Sequence, residues 1–523
     1  MSNYAISIGY SQYSTTFNGL RRNYSEVFYP MRHRFIIQIP LGAVAIKDIE
    51  LDLTSRHELV PILMALQHLY VHCKDTLDII LGLIDADMRC AENPNLGCIG
   101  MCHWENLVLA SLRLGCNLDY DQLADLATNH RKIRQLLGLS DWDDKLYRRS
   151  TIHDNLNRLA PDTLHAISDL IVHYGHEISR QPLKRVRADS FVVKKNIHYP
   201  TDSSLIVDGI RTVVNISRKV ARKFNITGWR KHGYFKQRAK KTLRKLTVIA
   251  RSKKADKDMR MKAAYRDLLE QAEQVIVKAE TTISAVHHLA AKYAFEIPEK
   301  WQDYLSELQY YIGGTEYVCD LSRRRVIEGE TITNPEKVFS LFEPDTELIN
   351  RGKRPLPIEF GHRVLIVEDN AGFILHSQQM GIGFTDEKVI VEVMKNLQER
   401  YDNQILAASF DKGFWTPTNL KQLSEIIPLV ALPKKGKRSE ADRQRETDRE
   451  FGSTRKWHAG VESAIHALGH NGLQVCRDKG ATNYERYIAM AALGRNLHTL
   501  GKILIDKERR KKTKDALRTI ANQ

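Results

Sequence analysis

The sequence predicts an α/β protein, a mixed sheet flanked by helices, carrying an all-α N-terminal domain and a large helical insertion after the first strand of the sheet. Three observations carry this reading. Helical periodicity runs from 57 to 180, strand and helix patterns alternate from 320 to 505, and the stretch between is a block of long charged helices. At 523 residues the chain has room for about three units of ~100–200 residues each.

Residues 1–56 mix short apolar alternations such as RHRFIIQIP and AIKDIELDL, which read as an N-terminal arm or short strands. In 57–180, Leu59, Ile62, Leu63, Leu66 and Leu69 mark one helix face, and Leu107, Leu109, Leu112 and Leu114 mark another. DYDQLADLATNHRKIRQLLG and STIHDNLNRL follow, a pair of short helices of the kind that read DNA; Arg148, Arg149, His153, Asn155 and Arg158 are its candidate contacts. Packing of an ordinary helical bundle explains the same pattern about equally well.

At Arg185 the texture changes. RVRADSFVVKK alternates and is β-branched, a strand with Asp189 near its middle. The block 205–319 follows as a basic helical insertion. Between 218 and 262 stand eighteen Lys and Arg against Asp256 and Asp258 alone, interleaved with Phe224, Trp229, Tyr234 and Phe235, a bias that fits phosphate contact. Arg230, Lys231, Lys240, Lys241 and Arg244 are its candidate contacts. Strand signals return at RRRVIEG, VFSLFEP and HRVLIVEDNAGFIL, where EDNAG reads as a hairpin turn. Then come a helix capped by Thr385 with Asp386 and Glu387 in its first turn, an apolar strand ending in Asp411, a helix, the strand PLVALP, a charged linker and a helix holding Glu462. The helix NYERYIAMAALGRNLHTLGKIL closes the core, so that 185–204 and 320–505 form one domain and 506–523 a basic tail.

Lys and Arg number 79 against 63 Asp and Glu, a formal charge of +16, which points to a polyanion and above all to nucleic acid. No basic start followed by an apolar run and a cleavage site opens the sequence, and no stretch reaches the ~20 apolar residues of a spanning helix, so a cytoplasmic, nucleoid-associated protein is expected. Seven scattered cysteines suit a reducing compartment; Cys98, Cys102 and His103 cluster without a second ligand pair at zinc spacing, which favours buried thiols.

Two acids on neighbouring strands and a third on a helix packed over them can converge, and carboxylate oxygens suit Mg²⁺, with Mn²⁺ as a substitute. Two such ions about 4 Å apart activate an attacking hydroxyl and stabilise the leaving 3′-oxygen of a phosphodiester. Asp189, Asp411 and Glu462 are the candidate catalytic and metal-holding residues. Asp202 rivals Asp189, but its YPTDSS setting favours a helix-capping turn, and Asp369 belongs to the hairpin.

The segments RADSFVVKKNIHYPTDSSLI, SLFEPDTELINRGKRPLPIEFGHRVLIVEDNAGFIL, SFDKGFWTP, LPKKGKRSEADRQRE and HAGVESAIHALGHNGLQVCRDKG, taken in order, resemble bacterial insertion-sequence transposases of the DDE class, in particular ISNCY-type elements. The likeness covers roughly residues 100–505. It implies an RNase H-like core and an acidic triad that holds two Mg²⁺ ions. The implied activity is cutting at terminal inverted repeats and joining of the 3′ ends to target DNA, by a homodimer or higher oligomer. Carried over, the triad is Asp189, Asp411 of the DKGF block and Glu462 of the HAGVES block. Lys434, Lys435, Arg455, Lys456 and His458 are further candidate DNA contacts. Some related transposases carry Tyr seven residues and Arg four residues before the Glu, and Lys seven after; here those positions are Arg455, His458 and Gly469, so the resemblance assigns the Lys role to no single residue and leaves Arg455, Lys456, His458 and His470 as alternative substitutes. A catalytically silent DNA-binding protein on the same fold and a stand-alone metal-dependent nuclease are the alternative expectations.

Overall fold

The computed structural model describes residues 33–35, 41–88, 100–352 and 357–521. It divides into two compact units, the first formed by 1–194 with 362–523 and the second by 195–361. Most of the expected arm 1–56, and Cys98, lie outside the described residues; in 41–56 the expected strand AIKDIELDL is instead an irregular segment with a single 3₁₀ turn at Ile46–Asp48.

The first unit opens with seven helices: α1 (Leu59–His72), α2 (Lys74–Met88), α3 (His103–Gly115), α4 (Tyr120–Asn129), α5 (Arg131–Leu136), α6 (Arg149–Leu156) and α7 (Pro161–Ser179). Every residue of α3 is buried, its polar ones included, and these are held by partners: His103 by Asp85, Glu105 by the Cys102 amide, Ser111 by the Leu107 carbonyl and Arg113 by Asp478. Asp119 caps α4 in a box with Gln122, and Cys102 caps α3 in a box with Glu105, its sulfur accepting from the Glu105 amide at 3.4 Å. Burial pushes the Cys102 thiol up to about 12. His103 meets Asp85 at 3.2 Å, so both residues of the suspected metal cluster that are described have structural work within the helical layer.

The remaining elements are β1 (Arg185–Lys195), α8 (Asp202–Lys223), α9 (His232–Ala250), α10 (Lys257–Lys292), α11 (Glu299–Ser322), β2 (Glu347–Asn350), β3 (Ile358–Asp369), β4 (Ile374–Gln379), α12 (Asp386–Arg400), β5 (Ala407–Phe410), α13 (Pro417–Ile426), β6 (Leu429–Ala431), α14 (Glu440–Thr447), α15 (Arg449–His458), α16 (Val461–Leu468), β7 (Val475–Cys476) and α17 (Ala481–Ala521). The strands form a mixed sheet in the order β2-β3-β1-β5-β6, with β4 also on β3 and β7 on β1. β3 and β4 pair antiparallel, and β5 pairs parallel with β1 on one side and β6 on the other. The fold is thus α/β with an open mixed sheet, as the alternation of patterns predicts.

Three readings need correction. The N-terminal helices are not a separate domain: α17 packs on α1, α3, α7 and β4, and one hydrophobic core runs through helices and sheet. The approach is so close that a Cβ on Gly501 would stand 1.8 Å from the Pro61 carbonyl oxygen, and one on Gly494 would stand 2.6 Å from the Gly115 nitrogen. Side chains there would push backbones apart, a cost of about 1–3 kcal/mol or more. The tail 506–523 is a continuation of α17 through Ala521 rather than a separate extension. Finally, RRRVIEG and VFSLFEP are not strands. The first is a π-helical turn, Arg323–Glu328, closing α11. There Arg324 is drawn into ion pairs with Glu330 and Glu336 that a strand would separate; the second segment is irregular and lies in the second unit.

In the second unit α9, α10 and α11 each pack on α8, and a core of Leu205, Ile206, Val213, Leu268, Leu308 and their neighbours fills the bundle. Trp229 is buried with its indole N–H on the Thr282 hydroxyl at 2.8 Å, and Phe224 stacks on Phe295, so these aromatics serve the bundle core; Tyr234 is exposed. β2 pairs antiparallel with Ile358–Gly361, and Lys195 is buried between Glu343 and Asp345. Among the described residues no helix is long and apolar enough to cross a membrane.

Candidate active site

The acids are positioned by the parallel ladder between β1 and β5. Its last registered pair is Ala188 with Phe410, both buried; the next residue on each strand is an aspartate, Asp189 and Asp411. Asp411 keeps an extended backbone (φ −80°, ψ 176°), so the register carries one step further. Neighbouring strands lie about 4.8 Å apart and partnered residues share a face, which sets the two carboxylates side by side at the strand end. Asp189 is half-buried and its Oδ1 accepts from the Ser190 amide at 2.7 Å. Asp411 is exposed rather than buried with its strand, and its Oδ1 accepts from the Gly413 amide at 2.5 Å, so it also caps the 3₁₀ turn Lys412–Phe414.

Two residues back from each aspartate, on the same face by strand alternation, stand Arg187 and Ser409, a registered pair. Arg187 binds the buried Glu368 of β3 through Nε at 2.6 Å and Nη2 at 2.5 Å, and donates from Nη1 to the Trp457 carbonyl at 2.9 Å, with its guanidinium 4.6 Å from the Trp457 ring. Burial pushes the Glu368 carboxyl above its usual range, against the pull of Arg187. Ser409 meets His458 Nδ1 at 3.0 Å, and burial holds His458 below the usual imidazole range, against the charge of Asp411. These contacts fix the end of α15 over β1 and β5. Gly460 lies two residues past α15, and a Cβ there would stand 1.9 Å from Arg187 Nη1, so a larger residue would displace the guanidinium from its place. Glu462 is two residues on, in the first turn of α16, and exposed.

The sequence pattern places Asp386 only in a helix's first turn; the structure brings it to the aspartates. A Cβ on Gly413 would meet Asp411 Oδ1 at 2.8 Å and Asp386 Oδ2 at 3.1 Å, so the two carboxylates flank one glycine. Burial pushes Asp386 above the usual carboxyl range, against a hydrogen bond from the Ser190 side chain, with the charge of Asp411 adding to the rise; its Oδ1 is buried without a hydrogen-bond partner. The signal was the TD pair opening α12, indistinguishable in sequence from ordinary helix-dipole acid. Among the described residues no three His, Cys, Asp or Glu stand close enough to hold a metal ion as they are.

The rival acids have other partners. Asp202 follows the capping Thr201 at the start of α8 and pairs with Arg325 at 2.5 Å within the second unit. Asp369 closes the β3–β4 turn, its Oδ1 accepting from the amides of Ala371 (2.7 Å) and Phe373 (2.9 Å). Its Oδ2 holds His176 at 2.7 Å; burial opposes the imidazolium, but the bond and charge of Asp369 outweigh it and raise His176 above its ordinary value. A raised folded value stabilises below about pH 6.5, where the unfolded imidazole is also charged, and the gain fades as pH rises through the folded value. His176→Gln is therefore expected to cost about 1.5–3 kcal/mol at pH 5.5 and clearly less at pH 9, read from urea midpoints at the two pH values.

The candidate DNA contacts divide. Asn155 is 5% exposed and donates to the Thr151 carbonyl at 2.7 Å, so it cannot reach a base edge; burial on the inner face of α6 overrides its polarity. Arg149 is exposed and meets Asp121 at 3.5 Å, and Arg158 is exposed just past α6. Lys434 is held by Asp442 at 2.5 Å and lies over the Trp415 ring, and His458 is turned into the sheet, so neither projects freely. Lys435, Arg455 and Lys456 are exposed. In the second unit, 230–254 holds no acid at all. Arg230, Lys231, Lys240, Lys241, Arg244 and Lys245 are exposed, and none is in an ion pair with a described residue.

No protein-family model, curated protein or solved structure matches this chain.

Proposed function

We propose that this protein is a DDE-class transposase with an RNase H-like core, cutting DNA at the terminal inverted repeats of an insertion sequence and joining the 3′ ends to target DNA. The observation that carries the reading is the adjacency of Asp189 and Asp411, one step past the last registered pair of two parallel strands. The donor set suits the implied metal: Asp189 and Asp411 would hold Mg²⁺ or Mn²⁺, and the unpartnered Asp386 Oδ1 fits a carboxylate neighbourhood that awaits a cation. Glu462, on the element anchored over β1 through Gly460, would complete the set by a turn of its long side chain. When bound, two such ions supply an activated hydroxyl and a stabilised leaving 3′-oxygen.

The chain's own residues do the rest. Arg187, clamped between Glu368 and Trp457, keeps β1 and α15 in register. The unpaired cations of α9 grip phosphates without reading sequence. DNA, as terminal repeats and target, is the partner, with two or more copies of the chain needed to hold two ends. Incubating the protein with duplexes bearing the sequences that flank its gene, in Mg²⁺, Mn²⁺ or EDTA, tests this. Metal-dependent nicking plus joined strand-transfer products is the expected result. Nicking without joining would make it a nuclease, and binding without nicking in any metal would make it a catalytically silent DNA-binding protein.

A further inference from the structure

Four residues beyond Glu462 on α16 stands His466, and four beyond that His470, in the spacing E-x-x-x-H-x-x-x-H. Residues four apart share a helical face. The two imidazoles face each other with ring centroids 4.5 Å apart at 75°, both residues are exposed, and neither hydrogen-bonds to a described residue. His470 stands where α16 widens into the π-helical turn Gly469–Leu473, and that turn is fixed from behind. Asn471 donates to the carbonyls of Leu114 (3.1 Å) and Gly115 (2.9 Å), and Gly472 takes φ +97° where a Cβ would strike Tyr487 at 2.9 Å and Asn117 at 3.1 Å. The backbone carrying the second imidazole is thus held in place before any ligand arrives.

We propose that His466 and His470 form a two-histidine site for a late first-row divalent cation, zinc in particular, distinct from the Mg²⁺ site proposed at Asp189 and Asp411. Neutral imidazoles bind such ions through nitrogen at about 2.0–2.1 Å, whereas Mg²⁺ takes oxygen, so the pair selects against the ion expected at the aspartates. Two protein nitrogens leave the other positions to water or to an incoming anionic oxygen. His68 and His72 are the internal comparison: the same spacing and the same 4.5 Å between rings, but His68 Nε2 is already on the Tyr174 hydroxyl at 2.8 Å. An engaged nitrogen has to leave its partner first, so that pair is the weaker site.

The inference does not depend on the proposed DNA chemistry, and neither does its test. Calorimetric titration of ZnCl₂ into the full-length protein at pH 7.5 is expected to show one site that weakens by about tenfold or more in both His466→Ala and His470→Ala, since one imidazole alone cannot chelate. It should persist in His68→Ala and in Asp189→Asn with Asp411→Asn. Both histidines are exposed, so circular dichroism is expected to show the variants folded. Zinc affinity unchanged in both variants, or lost with the aspartates instead, would overturn the site.

Discussion

Asn in place of Asp411 is expected to lower Mg²⁺-dependent DNA cleavage by about 10³-fold or more while duplex affinity stays within about twofold. The substitution keeps the shape and the Oδ1 acceptor that caps Gly413, so the turn survives and only the charge and its cation are lost. Asp189→Asn is expected to match it, because its Oδ1 likewise keeps the Ser190 amide. Asp202→Asn is the control: its carboxylate belongs to Arg325, and its loss should leave cleavage unaffected. Cleavage that disappears in folded Asp202→Asn and survives in Asp189→Asn would mean the wrong acid has been assigned to the first strand. Radiolabelled duplex on denaturing gels reads cleavage, and anisotropy reads binding.

Replacing Lys240, Lys241, Arg244 and Lys245 together by Gln is expected to flatten the dependence of log affinity on log salt by about 3.6, at about 0.9 for each phosphate no longer neutralised. At 0.1 M salt that amounts to a drop in affinity on the order of 10³-fold. The effect should be equal on terminal-repeat and random duplex, because phosphate contacts carry no sequence information directly. All four side chains are exposed and outside any ion pair with a described residue, so their removal orphans no carboxylate and stability should hold. Anisotropy across a salt series checks this, and an unchanged slope would remove the bundle from the DNA interface.

The parts of this molecule legible in sequence are those set by local pattern. The alternation in RVRADSFVV, the EDNAG turn and the apolar run before Asp411 each specify a strand or turn within a few residues, and the structure has them. What sequence could not give depends on contacts between distant segments. Asp386 reads as a helix-dipole acid until Gly413 is seen between it and Asp411. Asn155 reads as a base reader until α6 is seen to bury it. RRRVIEG has a strand's composition, and only the ion pairs of Arg324 with Glu330 and Glu336 show why it coils. The aromatics among the basic residues read as part of a phosphate-contacting face because hydrophobicity alone cannot tell the core of a small bundle from an exposed surface.

The contact of α17 with α1, glycine against Pro61, constrains the order in which the molecule can be built. At about 5–20 residues per second, a ribosome delivers the closing helix some tens of seconds after the first one it must pack against. Until then the parts of α1 and α3 that α17 covers stay bare, whereas the second unit, continuous in sequence from 195 to 361, can condense as soon as it emerges. The nascent protein is therefore a finished bundle hung between two unfinished halves, and its demand for chaperones falls on the N-terminal helices.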